Sequence, residues 1–184
     1  MTPDDDRHDI AVKTLAIGGP ISEKTLVELA EDPYESDRVL SAAIKSPSVT
    51  VAVLRAIIAR KRPSARLMAE VASSPIITDE IAATILADQD DIRIGLEIRR
   101  AAADNPAMAS KIIETLVADP QASVRTRAAE NPSISLAKLA AAIKNESSPL
   151  VADIMRSSFD RRLKTSAAHE RIALEFALQE QSQT

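Results

Sequence analysis

Val124-Arg-Thr-Arg-Ala-Ala-Glu-Asn-Pro132, followed by Ser133-Ile-Ser-Leu-Ala-Lys-Leu-Ala-Ala-Ala-Ile-Lys-Asn145, is the stretch on which the fold turns. Its first part is Ala-rich and ends at a proline, which cannot continue a helix interior and biases its predecessor away from the helical region. Its second part sets Ser135 three residues after that proline, where a hydroxyl can accept from the free N–H groups of a starting helix. Leu139 and Ala142 follow four and seven residues later, on one helical face. The stretch therefore reads as the end of one short helix, a joint, and the start of another.

The same grammar recurs along the chain. Pro20, Pro47, Pro75, Pro106 and Pro132 are separated by 27, 28, 31 and 26 residues, a period that marks a stacked repeat. A hydroxyl follows in four of five copies (Ser22, Thr50, Thr78 and Ser135), with Ala109 the exception. The apolar pair is Leu26 and Leu29, Leu54 and Ile57, Ala82 and Ile85, and Ile113 and Leu116 in the other copies. A second punctuation comes about ten residues on, at Asp32-Pro33, Arg62-Pro63, Asp88 to Asp91, Asp119-Pro120 and Asn145 to Pro149. Nine of the ten prolines thus sit at joints, all but Pro3. Helices this short are marginal alone and gain stability by stacking on neighbours. The fold class that follows is all-α: an α-solenoid of five to six two-helix repeats of 26–31 residues, closed by a C-terminal capping helix.

The phrase V-R-x-x-A-A-x-N-P resembles the leucine-rich repeat variant, a bacterial relative of HEAT-type and armadillo-like helical repeats. Val124, Arg125, Ala128, Ala129, Asn131 and Pro132 carry the resemblance, and Ile98, Arg99, Ala102, Ala103, Asn105 and Pro106 repeat it. It implies a right-handed superhelix in which α-helices alternate with shorter helices of α or 3₁₀ type. It implies no activity. A relative with this repeat carries a cysteine-ligated cluster domain, of which a chain without Cys can take over nothing.

Composition agrees. Of 184 residues, 32 are Ala, none is Cys or Trp, and the aromatics are Tyr34, Phe159 and Phe176. Such a core is built from Ala, Leu, Ile and Val, which suit closely approaching helices. Without Cys, disulfides, thiolate zinc sites and cysteine nucleophiles are excluded. The first twenty residues hold no long apolar run, so neither a secretory signal nor a membrane span is expected, and the expected location is cytoplasmic. Residues 1–9 read as a flexible acidic tail, 10–158 as the repeat array, and 159–184 as cap and tail. The cap helix runs from Ser166 to Gln179, with Ile172, Leu174, Ala177 and Leu178 in helical spacing.

Catalytic chemistry has little to stand on. His8 lies among Asp4, Asp5, Asp6 and Asp9 in the tail and His169 in the cap, and no pairing with a nucleophile or a metal triad can be read from them; the tail cluster could touch a divalent cation but reads first as a solvated tail. Asp88, Asp90 and Asp91 read as caps of the next helix. Ser135-Leu-Ala-Lys138 spells the Ser-x-x-Lys of penicillin-recognising enzymes, but Ser135 occupies the hydroxyl position shared by four copies, so capping accounts for it. Gly18-Gly19-Pro20 reads as a helix stop, not a phosphate loop. No catalytic residue, cofactor or metal is assigned.

Charge is more informative. The net of −4 hides a block, residues 38–69, with seven bases and no acid: Arg38, Lys45, Arg55, Arg60, Lys61, Arg62 and Arg66. Acidic blocks flank it, of net −7 over residues 1–37 and −6 over 70–119. An unmixed stretch of this kind is a candidate contact surface. Arg99 and Arg125 stand at one repeat position, with Arg100 and Arg127 close by, and serve either as a further contact surface or as a ladder to neighbouring carbonyls and acids. The expected function is a non-enzymatic protein–protein interaction scaffold whose partner carries an acidic surface. Nucleic-acid backbone binding through residues 38–69 is the alternative, opposed by the acidic pI of 5.3 and the scarcity of aromatics for base stacking. An enzyme comes last. No membrane partner is expected, and a homo-oligomer stays open.

Overall fold

The computed structural model describes residues 3–61, 63–87 and 92–165 and is all-helical, with no strand or 3₁₀ helix among the described residues. Its elements are α1 (Pro3–Ala16), α2 (Glu23–Glu31), α3 (Asp37–Ile44), α4 (Val51–Ile58), α5 (Ala65–Ala72), α6 (Asp79–Ala87), α7 (Ile92–Asp104), α8 (Ser110–Leu116), α9 (Ala122–Glu130), α10 (Leu136–Asn145) and α11 (Pro149–Thr165). None is long and apolar enough to cross a membrane. The short helices of each copy are α-helical, and the 3₁₀ form that the family resemblance allows does not occur among them.

Proline sets these boundaries. Eight of the nine joint prolines lie between helices, and Pro149 opens α11, where a missing N–H is no loss. Pro3 does the same for α1, so the stretch expected as a tail is helical from its third residue onward. The physical reason is visible in the sequence: a proline at the first helical position and three aspartates behind it favour a helix N-terminus. Gly18, at φ +69°, ends α1 in the left-handed conformation, as its place before Gly19-Pro20 predicts. At the other end, Phe159 stands 27 residues after Pro132, and without a proline there α11 runs on through the 158/159 boundary to Thr165. The proposed cap at 166–179 lies outside the described residues, as do Asp88, Asp90 and Asp91.

The chain divides into two compact units, one ending at Ala101 and the other beginning at Ala102. In the first, α1 packs on α3 and α3 on α5, while α2 packs on α4 and α4 on α6, so each of α1 to α6 meets an equivalent one copy away. In the second, α9 packs on α8 and on α11, and α10 on α11. Of the ten face residues read from the repeat, nine are buried and Ala142 is half-buried. Ile98, Ala102, Ala103 and Asn105, and Val124, Ala128, Ala129 and Asn131, are all buried too. Both copies of the phrase thus bury their small residues.

Hydroxyl caps begin several helices. Thr25, Ile81 and Lys138 donate their backbone N–H to Ser22, Thr78 and Ser135. Ser36 and Ser64 cap α3 and α5 in the same way. Thr50 stands at the N-cap of α4 but makes no capping bond; its hydroxyl donates to Glu23 Oε1, 27 residues back, at 2.9 Å.

Candidate functional site

The basic residues fall into two groups once their surroundings are seen. Arg60, at the α4–α5 joint, is a structural clamp. Its guanidinium donates to four backbone carbonyls around the end of α2: Ala30 (3.1 Å), Asp32 (2.5 Å), Pro33 (3.3 Å) and Glu35 (3.0 Å). A helix leaves its last carbonyls without intrahelical donors, and the planar fork of Arg supplies several donors with a favourable charge. Arg55 on α4 reaches Glu80 on α6 at 2.5 Å.

Arg125 plays the comparable part in the second unit. It donates to the carbonyls of Asp119 (2.9 Å) and Pro120 (3.0 Å) and grips Glu146 with two bonds of 2.7 and 2.9 Å. Glu146, only 3% exposed in its side chain, also accepts from the Ser148 N–H just ahead of α11. The hydrogen bond from Arg125 holds the Glu146 carboxyl below its ordinary value, burial opposing, and Glu146 in turn raises the Arg125 guanidinium. Arg127 pairs with Asp104. Arg99 and Arg100 lie half-buried in the first unit. Arg125 is therefore a joint strap, the ladder role that its repeat position allows.

The rest of the basic block is more open. Lys45 and Arg66 share one oxygen of Glu70, at 3.4 and 3.5 Å, while the Arg66 side chain stays 84% exposed. Arg38, one copy earlier than Arg66 at the same repeat position, is exposed and has no hydrogen-bond or ion-pair partner among the described residues. Arg38 and Arg66 line one groove of about 460 Å³ between α3 and α5, with Asp37, Ser41, Ser64, Leu67 and Glu70. Lys61 is exposed beside Glu31, Pro33 and Ala59. Arg62 lies outside the described residues. Among the described bases of this block, Arg55 and Arg60 bond to neighbouring copies, whereas Arg38 and Arg66 line a common groove.

The other motifs resolve simply. Ser135 caps α10, and the Lys138 ammonium lies 3.9 Å from the Glu114 carboxylate. Asn131, read only as part of the phrase, is a strap: its amide donates to the carbonyls of Ala103 and Asn105, both at 2.8 Å, and its oxygen accepts from Ser133. The sequence reading also missed Glu70, Glu146, and the meeting of His8 with Glu35. The signal lay in the period, since His8 and Glu35, like Glu23 and Thr50, are 27 residues apart. Comparison with protein-family models, with curated proteins and with solved structures finds no match to this chain.

Proposed function

We propose that this chain is a short α-solenoid, similar to the leucine-rich repeat variant, and that it works as a non-enzymatic scaffold that holds an acidic segment of another protein. Support for the solenoid comes from the first unit, where helices pack on their equivalents one copy away, and from hydrogen bonds in both units that span 26 to 30 residues. The observation that carries the function is the α3–α5 groove. Two repeat-equivalent guanidiniums, Arg38 and Arg66, line it, and Arg38 has its charge uncommitted among the described residues. Neighbouring helices pack about 8–10 Å apart. An extended peptide advances about 3.3 Å per residue, so carboxylates three residues apart match that pitch.

The nucleic-acid reading loses ground on the same facts. Arg55 and Arg60 belong to its proposed phosphate contacts, and both are engaged within the fold.

Cross-linked affinity capture with wild type and with the double variant Arg38→Glu/Arg66→Glu tests the scaffold. A partner retained by wild type and lost by the variant, with helical circular dichroism unchanged, is the expected result. A partner bound equally by both would remove the groove from the proposal, and the absence of any partner would remove the scaffold.

A further inference from the structure

We propose that His8, Asp32 and Glu35 form a zinc-class metal site that clips α1 to the joint between α2 and α3. His8 Nε2 lies 2.7 Å from Glu35 Oε2, and one donor atom from each of the three residues falls within 4.8 Å of the others. Four-coordinate zinc with bonds of about 2.0–2.1 Å sets its ligand atoms about 3.3 Å apart. The cluster needs only small rotations to reach that spacing: His8 and Glu35 part by roughly half an ångström, and Asp32 closes in.

Both carboxylates are already oriented. Glu35 Oε1 accepts from the Ser36 N–H at 2.7 Å and from its hydroxyl at 3.3 Å, which leaves Oε2 facing the imidazole. Asp32 Oδ1 accepts from the Tyr34 N–H at 2.9 Å, which leaves its second oxygen for a metal. Outer bonds of this kind fix first ligands in metal sites. Arg60 holds the Asp32 and Glu35 carbonyls, so the segment that carries both carboxylates is pinned from behind. That guanidinium also adds positive charge close by, which the two carboxylates must outweigh for a dication to enter.

The donor set chooses the metal. One imidazole nitrogen with two carboxylates suits zinc or cobalt, whereas calcium and magnesium favour all-oxygen shells. Exposure differs usefully within the set. Glu35 is 7% exposed in its side chain and His8 is 44% exposed. A cavity of about 750 Å³, lined by His8, Asp32, Glu28, Lys24 and Leu29 among others, opens beside them and admits the water that completes a three-ligand site. A metal bound by the folded state alone ties α1 to a joint one copy away and so adds to stability.

The test uses the full chain and Zn²⁺ alone, by competition with a chromophoric chelator and by thermal melting. Saturable binding at one ion per chain is expected, with a rise of several degrees in Tm. His8→Ala and Asp32→Ala each should weaken binding more than tenfold while helical circular dichroism stays at the wild-type level. Mg²⁺ alone should bind at least a hundredfold more weakly. If a variant loses its helical signal, Co²⁺ absorption of the wild type takes its place, and intense visible bands of four-coordinate cobalt are then expected. No saturable zinc binding, binding that survives His8→Ala, tighter binding of Mg²⁺, or a cobalt spectrum of the octahedral aquo type would each overturn the site.

Discussion

In the second unit Asn131 buries its amide and donates backwards to Ala103 and Asn105, whereas Ser46, at the same repeat position in the first unit, uses its hydroxyl within its own turn, accepting from Ser48. Both residues are buried ahead of an anchor proline. Side-chain length separates them: a serine hydroxyl satisfies one local N–H, while the longer asparagine does that and still bridges to the previous copy. In the first unit a residue from a different joint bridges copies, and Arg60 delivers four donors where Asn131 delivers two. Every helix cut short by proline strands carbonyls at its end, and Asn131 and Arg60 meet that need with different side chains.

The largest expected effect follows from the buried strap. Asn131→Ala takes the side-chain donor from the buried Ala103 carbonyl and leaves the Asn105 carbonyl with the Met108 N–H alone, and should lower unfolding stability by about 3 kcal/mol. Asn131→Ser keeps the local turn bond and should recover only a small part, because it cannot reach Ala103. Urea unfolding checks both, and an Asn131→Ser variant as stable as wild type would break the length argument. Arg60→Ala should cost about 2 kcal/mol, since its four bonds are partly exposed. Arg60→Lys should not restore it, because an ammonium cannot fork to carbonyls on two sides.

A third prediction concerns pH. The Glu146 carboxyl is lowered in the folded state, chiefly by the bond from Arg125, so the folded state prefers it charged. That stability is fully present above the ordinary carboxylate range and is lost as pH falls through the lowered folded value. Wild type should therefore lose stability on acidification more steeply than Glu146→Gln, which should start weaker at pH 7 and change less below about pH 4.5. Equal slopes in chemical denaturation at pH 7 and pH 3 would remove Glu146 from that dependence. The smallest effect separates two caps: Ser64→Ala should cost about 1 kcal/mol, and Thr50→Ala only a few tenths, because Thr50 bonds Glu23 and not its own helix.

Much of the fold was legible because proline and the small-residue phrase act locally. Leu54, Ile57, Val124 and Ala128 are buried where the period puts them, and Ser22, Thr78 and Ser135 cap as their spacing predicts. The misread elements lie where two local rules meet. Asp4 to Asp6 look like a solvated run, yet behind Pro3 they make a good first turn. Phe159 is inconspicuous until the period is carried past the last anchor proline, where the missing proline lets α11 continue. The site was harder to see, because the charge of Arg60 and Arg55 is visible in sequence and their acceptors are not. Backbone carbonyls have no letter, and Glu80 belongs to a block of opposite sign. The pair that shares a groove, Arg38 and Arg66, was placed together by its shared repeat position.

The Asn131 strap also bears on how such a chain changes length over evolutionary time. Its acceptors are peptide oxygens, which every residue type supplies, so a duplicated copy carrying Asn-Pro brings its own fastener and finds a socket in whatever sequence precedes it. An ion pair such as Arg125 with Glu146 has no such freedom, because both members must arrive together. Backbone-directed straps let copies be inserted or deleted in whole steps, while charge-matched straps fix the order of the copies that carry them.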